Sequence, residues 1–268
     1  KIPSHWNKVF ICNENHLPTI EDDLRRLASN SDIIPIAEHK KGPVWAVLEG
    51  LKTYPLAFPD TENYLISYCD YSLSWDPLDF ESFVNRTHCD GAIVTYTGFH
   101  PEYLRPTLYA YCRETDGLIH EIREKGHFTP DRTQEYASAG AYYFKNKTYL
   151  EIYFKKLMAK GPLINGEGYV SLVYNQMIAD KLQIRTYEVP YFLQFGTPPD
   201  FYDYQYWSHA YTQYFSQQEK IKPDSPLQLL MPMVGRGSRF SQDLKPKPLI
   251  EVLSQPMFKA AIAHLPAT

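Results

Sequence analysis

The sequence predicts an α/β protein with a three-layer, mostly parallel mixed sheet. Short apolar runs alternate with helical patterns along most of the chain. A hairpin signal, Thr115-Asp116-Gly117, interrupts that alternation, so the sheet is mixed. The composition supports a globular core: 268 residues, 44% hydrophobic and 22% charged.

The elements follow in order. "KVFIC" (residues 8–12) is a short apolar strand. In "TIEDDLRRLASN", Ile20, Leu24 and Leu27 share a helical face, with Thr19 as N-cap. "DIIPI" (32–36) is the next strand. "GPVWAVLEGLKTY" spaces Val44, Val47, Leu48 and Leu51 as a helix. "NYLISYCD" (63–70) is a strand ending on an acid. "DPLDFESFVNR" is a helix capped by Asp76, with Pro77 at its first position. "GAIVTYTG" is a strand, then comes the hairpin, then "AGAYYF" as a further strand. "KTYLEIYFKKLMAK" is an amphipathic helix through Leu150, Phe154 and Leu157. "GYVSLVYNQMIADK" is a second helix, "IRTYEV" a strand, and 197–217 a long aromatic helix. Residues 217–226, polar with two prolines, read as a linker between a module at 1–216 and a restarted αβ pattern at 227–268.

Bulk properties exclude several classes. A net charge of −4 argues against a dedicated nucleic-acid binder. No apolar run approaches the ~18 residues of a membrane span. Cys12, Cys69, Cys89 and Cys112 lie far apart without CxxC spacing, which argues against zinc and disulfides and for free thiols in a cytoplasmic protein. The 22 tyrosines read chiefly as packing residues. His100 reads as structural, or as the rim of a ligand pocket.

The chemistry concentrates in "LLMPMVGRGSRFSQDLKPKPLI". Gly235 and Gly237 let backbone approach a ligand, and successive N–H groups, with that of Ser238, form an anion cradle. Arg239 adds a planar, permanently charged fork suited to phosphate. Lys247 adds a compact cation. The loop resembles the signature of the sugar-phosphate nucleotidyltransferases (NDP-sugar pyrophosphorylases). The resemblance extends, in order, through "KKGPVWAVLEGL", "LISYCDYS", "DGAIVTYTGFHPEY", "DGLIHEIREKGHF", "ASAGAYYF", "NGEGYVSLVYNQMI" and "FGTPPDF".

That resemblance implies a Rossmann-like (GT-A-like) fold and a set of roles. Gly235, Gly237, Ser238 and Gly42 would bind nucleotide. Arg239 and Lys247 would act catalytically on phosphate. Asp70, at the end of its strand, would bind Mg²⁺ and serve catalysis. Glu124, Lys125, Gly140 and Glu167 would bind the sugar phosphate. The implied substrates are a nucleoside triphosphate and a sugar-1-phosphate, with no nucleic-acid or membrane partner; a homo-oligomer stays open. Many members carry a second metal-binding aspartate two residues before the closing Gly-Thr, where this chain has Gln194. Rival readings are a GT-A-type glycosyltransferase using an NDP-sugar, which would not need the glycine loop, and a non-catalytic nucleotide-sugar-binding module.

The loop opens such a module, yet here it comes late. The sequence therefore reads as a piece of a tandem-module protein, or as a permuted module whose late strand returns. Within this chain that strand is expected beside the Asp70 strand, with Gly237 within about 15 Å of Asp70.

Overall fold

The computed structural model describes residues 3–29, 31–216, 231, 233, 246–252 and 254–262. The chain divides into two compact units, Lys1–Gly196 and Thr197–Thr268.

The first unit opens with β1 (Lys8–Asn13), α1 (Leu17–Leu27), β2 (Ser31–Ile36) and α2 (Pro43–Thr53). β1 and β2 pair in parallel, with Phe10 opposite Ile33. Thr19 is not the cap of α1. The helix begins at Leu17, and Pro18 stands in its first turn, where a missing N–H costs no hydrogen bond. Next come β3 (Tyr64–Ser67), β4 (Tyr71–Ser74), α3 (Pro77–Thr87) and β5 (Gly91–Tyr96). Asp76 caps α3 as expected, accepting from the Leu78 N–H at 2.9 Å. The hairpin is β6 (Tyr111–Thr115) and β7 (Leu118–Arg123), with Asp116 and Gly117 both at positive φ. β8 (Tyr136–Phe144) leads into α4 (147–160), whose Leu150–Phe154 stretch is π-helical. α5 (Val170–Ala179), β9 (Ile184–Glu188) and β10 (Tyr191–Gln194) complete the unit.

The sheet is mixed, but it is neither mostly parallel by pairing nor an open middle layer. β3 and β5 both pair with β8, each antiparallel to it. β5 and β9 pair in parallel. β8 thus enters reversed between strands that run the same way, which αβ alternation cannot reveal. The pairings β8–β5–β9–β7–β6–β8 then close into a barrel-like ring. β4 and β10 form a separate antiparallel ribbon that the sequence reading missed.

Side-chain alternation gives the ring two buried faces. Ile93, Tyr142 and Phe144 pack with Val44, Leu150, Phe154, Val173 and Met177 on one side. Ala92, Val94, Ala139 and Ala141 pack with Phe80, Val84 and Phe192 on the other. β5 is therefore buried along its whole length, as a continuous apolar run should be.

In the second unit, α6 (Pro198–Ser216) presents Tyr202, Tyr206, Trp207 and Tyr211 to solvent. Lys247–Leu249 is a single 3₁₀ turn, followed by β11 (Glu251–Val252), β12 (Gln255–Pro256) and α7 (Met257–Ile262). The linker, most of the late strand and the glycine loop with Gly235, Gly237, Ser238 and Arg239 lie outside the described residues. So does the expected Gly237–Asp70 proximity.

Candidate active site

Six expected residues of the first unit belong to one network of contacts. They sit after the carboxyl ends of β3 and β7, in the middle of β8, and at the amino ends of α2 and α5. In a fold of this kind, backbone N–H groups at helix starts favour anions.

Gly42 caps α2 at φ +82, a backbone conformation that glycine adopts without strain. A Cβ there would stand 2.7 Å from the Gly168 carbonyl oxygen and 3.1 Å from Glu167 Cβ. Two backbone bonds lock this approach: the Val44 N–H donates to Gly168 O at 3.2 Å, and the Gly168 N–H to Lys41 O at 2.9 Å. The start of α2 and the segment before α5 are therefore tied together by backbone bonds.

Glu167 connects onward through Tyr169. The Tyr169 hydroxyl donates to Glu167 Oε2 at 2.7 Å and accepts from the Lys125 ammonium at 2.7 Å. The ammonium also lies 4.6 Å from the centre of the Tyr169 ring. The Tyr169 contact, aided by Glu124 and Glu167, holds the Lys125 pKa above its ordinary value. Lys125 is a fixed cation on an exposed residue at φ +53.

Glu124 faces the other way. Burial pushes its carboxyl pKa up, and the Ser171 hydroxyl and Lys125 partly offset that. Ser171 donates its hydroxyl proton to Glu124 Oε2. Glu124 is thus a half-buried acceptor with Oε2 engaged by Ser171, and its neighbour across the site is Tyr68.

Gly140 lies in a bulge. Between Ile93/Tyr142 and Thr95/Ser138 the register shifts, so β8 uses four residues where β5 uses two. Gly140 sits there at φ +81, and a Cβ would stand 2.8 Å from the Tyr71 ring and 3.6 Å from the Tyr68 ring. Its carbonyl accepts from the Tyr68 N–H at 3.3 Å. The bulge thereby positions the β3–β4 turn, which carries Asp70.

Asp70 is exposed. Its backbone carbonyl accepts from the Phe195 N–H at 2.7 Å, and a Cβ at Gly196 would stand 2.7 Å from Asp70 Oδ2. The closing segment therefore runs directly beside this carboxylate. Gln194, which pairs with Tyr71, is buried, and its Oε1 accepts from the Tyr109 hydroxyl. Among the described residues no group of three or more His, Cys, Asp or Glu could hold a metal ion. Asp70 alone offers one exposed carboxylate. That fits Mg²⁺, which takes one or two carboxylates together with substrate phosphates and water.

Lys247 lies in the second unit, in its 3₁₀ turn. His100 is structural: it is buried, with Nε2 3.1 Å from Phe192 O and Nδ1 accepting from the Glu102 N–H at 3.3 Å. The four cysteines are free thiols, as expected. Sequence reading missed Tyr68, Tyr169, Ser171 and the Tyr109–Gln194 pair. For Tyr169 and Ser171 the one visible signal was spacing: Glu167, Tyr169 and Ser171 alternate just where the chain enters α5.

Among the described residues no helix is long and apolar enough to cross a membrane. Compared with curated proteins, the sequence matches none. Solved structures share the fold at low identity. A nucleoside-diphosphate-sugar pyrophosphorylase from Vibrio cholerae is 15% identical, with a TM-score of 0.60 over 75% of this chain and 81% of its own. A putative glucose-1-phosphate thymidylyltransferase from Bacillus anthracis, in complex with a sucrose, is 14% identical, with a TM-score of 0.55 over 75% of each chain. The inositol-1-phosphate CTP transferase of T. maritima is 11% identical, with a TM-score of 0.56 over 77% of each. The family model described as Nucleotidyl transferase matches residues 2–205, most of the chain, and the protein belongs to that family.

Proposed function

We propose that the chain carries the site of a sugar-1-phosphate nucleotidyltransferase. It joins a nucleoside triphosphate and a sugar-1-phosphate to give an NDP-sugar and pyrophosphate. The observation that carries this reading is the network from Gly42 through Glu167, Tyr169 and Lys125, with Glu124 and Gly140 leading on to Asp70. It sets a hydroxyl acceptor, Glu124, beside a fixed cation, Lys125, which is the pairing a sugar phosphate needs.

The nucleophile is a phosphate oxygen, already an anion at neutral pH, so no general base is required. The difficulty is bringing two anions together in line, and catalysis rests on positioning and electrostatics. Lys125 neutralises the sugar phosphate. Glu124 and Glu167 orient sugar hydroxyls, and Gly140, packed against Tyr71 and Tyr68, positions the turn that carries Asp70. Gly42 sets the start of α2, whose backbone N–H groups would face the nucleotide. Asp70 would hold Mg²⁺, which supplies charge neutralisation at the triphosphate when bound. Gly235, Gly237, Ser238, Arg239 and Lys247 enter on sequence alone, as the triphosphate cradle and its cations.

A second reading, a nucleotide-sugar-binding module without turnover, is favoured by Gln194. A neutral amide engaged by Tyr109 stands where many relatives place a second acid. Mass spectrometry separates the two. The full chain is incubated with Mg²⁺, the four common nucleoside triphosphates and a set of hexose 1-phosphates. A product of NDP-sugar mass supports the enzyme, and its absence despite binding of both ligands supports the module.

A further inference from the structure

Tyr68 has no place in the roles assigned so far. It follows β3, two residues before Asp70, in a run of apolar strand residues. Its ring packs against Tyr142, with centroids 5.7 Å apart, and against the bulge at Gly140. Its hydroxyl oxygen is buried without a hydrogen-bond partner of normal geometry. Around it lie Glu124, Tyr169 and the backbone N–H of Val170. Glu124, and Tyr169 through its bonds to Lys125 and Glu167, belong to the proposed sugar end, with Asp70 close by.

A buried hydroxyl left unpaired is costly, and native proteins seldom keep one without a use. A phenylalanine would serve packing as well as a tyrosine does, without that cost. The Val170 N–H, a donor, faces the phenol oxygen. That leaves the phenol proton as the unmet half of the group.

Resting on the reading above, we propose that Tyr68 is a specificity-determining residue, donating its hydroxyl proton to a ligand hydroxyl that itself donates to Glu124. The ligand class is a sugar phosphate with a free ring hydroxyl between the two side chains. A ring hydroxyl can accept from Tyr68 and donate to Glu124 at once, whereas a methylene at that position can do neither. The unsatisfied group then becomes a filter: a deoxy sugar leaves it unpaired, and a hydroxylated sugar completes it.

The test is binding rather than turnover. Calorimetric titration of the full chain and of Tyr68→Phe uses glucose, galactose and mannose 1-phosphates, their monodeoxy analogues, and inorganic phosphate as control. The proposal expects Tyr68→Phe to bind its best hexose 1-phosphate roughly tenfold more weakly, with phosphate unaffected. One deoxy analogue should bind both proteins equally. The variant's Tm should hold or rise, since a stranded buried hydroxyl is removed. A purely structural tyrosine predicts the reverse, a lower Tm with sugar-phosphate affinity unchanged, and that result overturns the proposal. If a hexose 1-phosphate binds wild type and variant alike, the proposal alone fails. If no hexose 1-phosphate binds while a nucleoside triphosphate does, the sugar assignment of this end fails with it.

Discussion

Glu124 shows how burial and charge set a single residue's chemistry. Its pKa is raised, so as pH falls it takes up a proton before an ordinary glutamate does. The neutral carboxyl loses the charge that makes it a strong acceptor. The kcat/KM for the sugar phosphate should therefore fall on the acid side with a midpoint above the usual carboxylate value of about 4.3. Glu124→Gln should lower kcat/KM roughly 10- to 100-fold near neutral pH and remove that limb. The phosphate's own ionisation, near about pH 6, affects both proteins alike and serves as the internal control. A variant that keeps the wild-type acid limb would assign it to another group. Glu124 and Lys125 were legible in the sequence, because a charged pair after an alternating strand stands out. Tyr68 and Tyr169 were not. A tyrosine beside apolar neighbours reads as packing until a structure reveals where its oxygen points.

At the scale of elements, the site depends on a bulge and on buried pairing. Gly140→Ala would place a methyl 2.8 Å from the Tyr71 ring at a φ of +81. Strain and overlap together should cost roughly 2–4 kcal/mol, read as a lower denaturation midpoint. The same change should disturb the β3–β4 turn and Asp70 with it. Elsewhere Arg132 clamps the Pro101–Leu104 turn: it bonds the carbonyls of Tyr103 and Arg105 and reaches Glu102, which is 4% exposed, at 3.4 Å. Arg132→Met should destabilise by roughly 3 kcal/mol, because it removes a cation beside a buried carboxylate together with its bonds to two carbonyls. Unchanged thermal stability would count against that role. Strand and helix order was legible for most elements from periodicity alone. The β4–β10 ribbon was missed because "YSLS" and "YFLQ" are too short to show a period. The reversal of β8 is a tertiary fact: an antiparallel strand and a parallel one share the same alternation.

At the scale of the whole molecule, family membership rests on most of the chain, while the phosphate loop enters from sequence alone. "GRGSRF" with Lys247 was the most legible chemistry in the sequence, and it lies largely outside the described residues. Asp70, Gly42, Glu124, Lys125, Gly140 and Glu167 were each weak signals along the chain, and the fold brings them into one network. If the loop serves this site, Arg239→Ala should slow turnover by roughly 10³-fold or more while leaving the thermal transition unchanged. An unaltered rate would sever the loop from the chemistry.

The central claim is nucleotidyl transfer to a sugar phosphate at the Asp70–Lys125 site. Pyrophosphate release from the full chain, followed continuously with Mg²⁺, nucleoside triphosphates and hexose 1-phosphates, tests it most directly. The account predicts release that requires both substrates, stops on chelation of the metal and is lost in Asp70→Asn. Release without a sugar phosphate, or at the wild-type rate in Asp70→Asn, would contradict it.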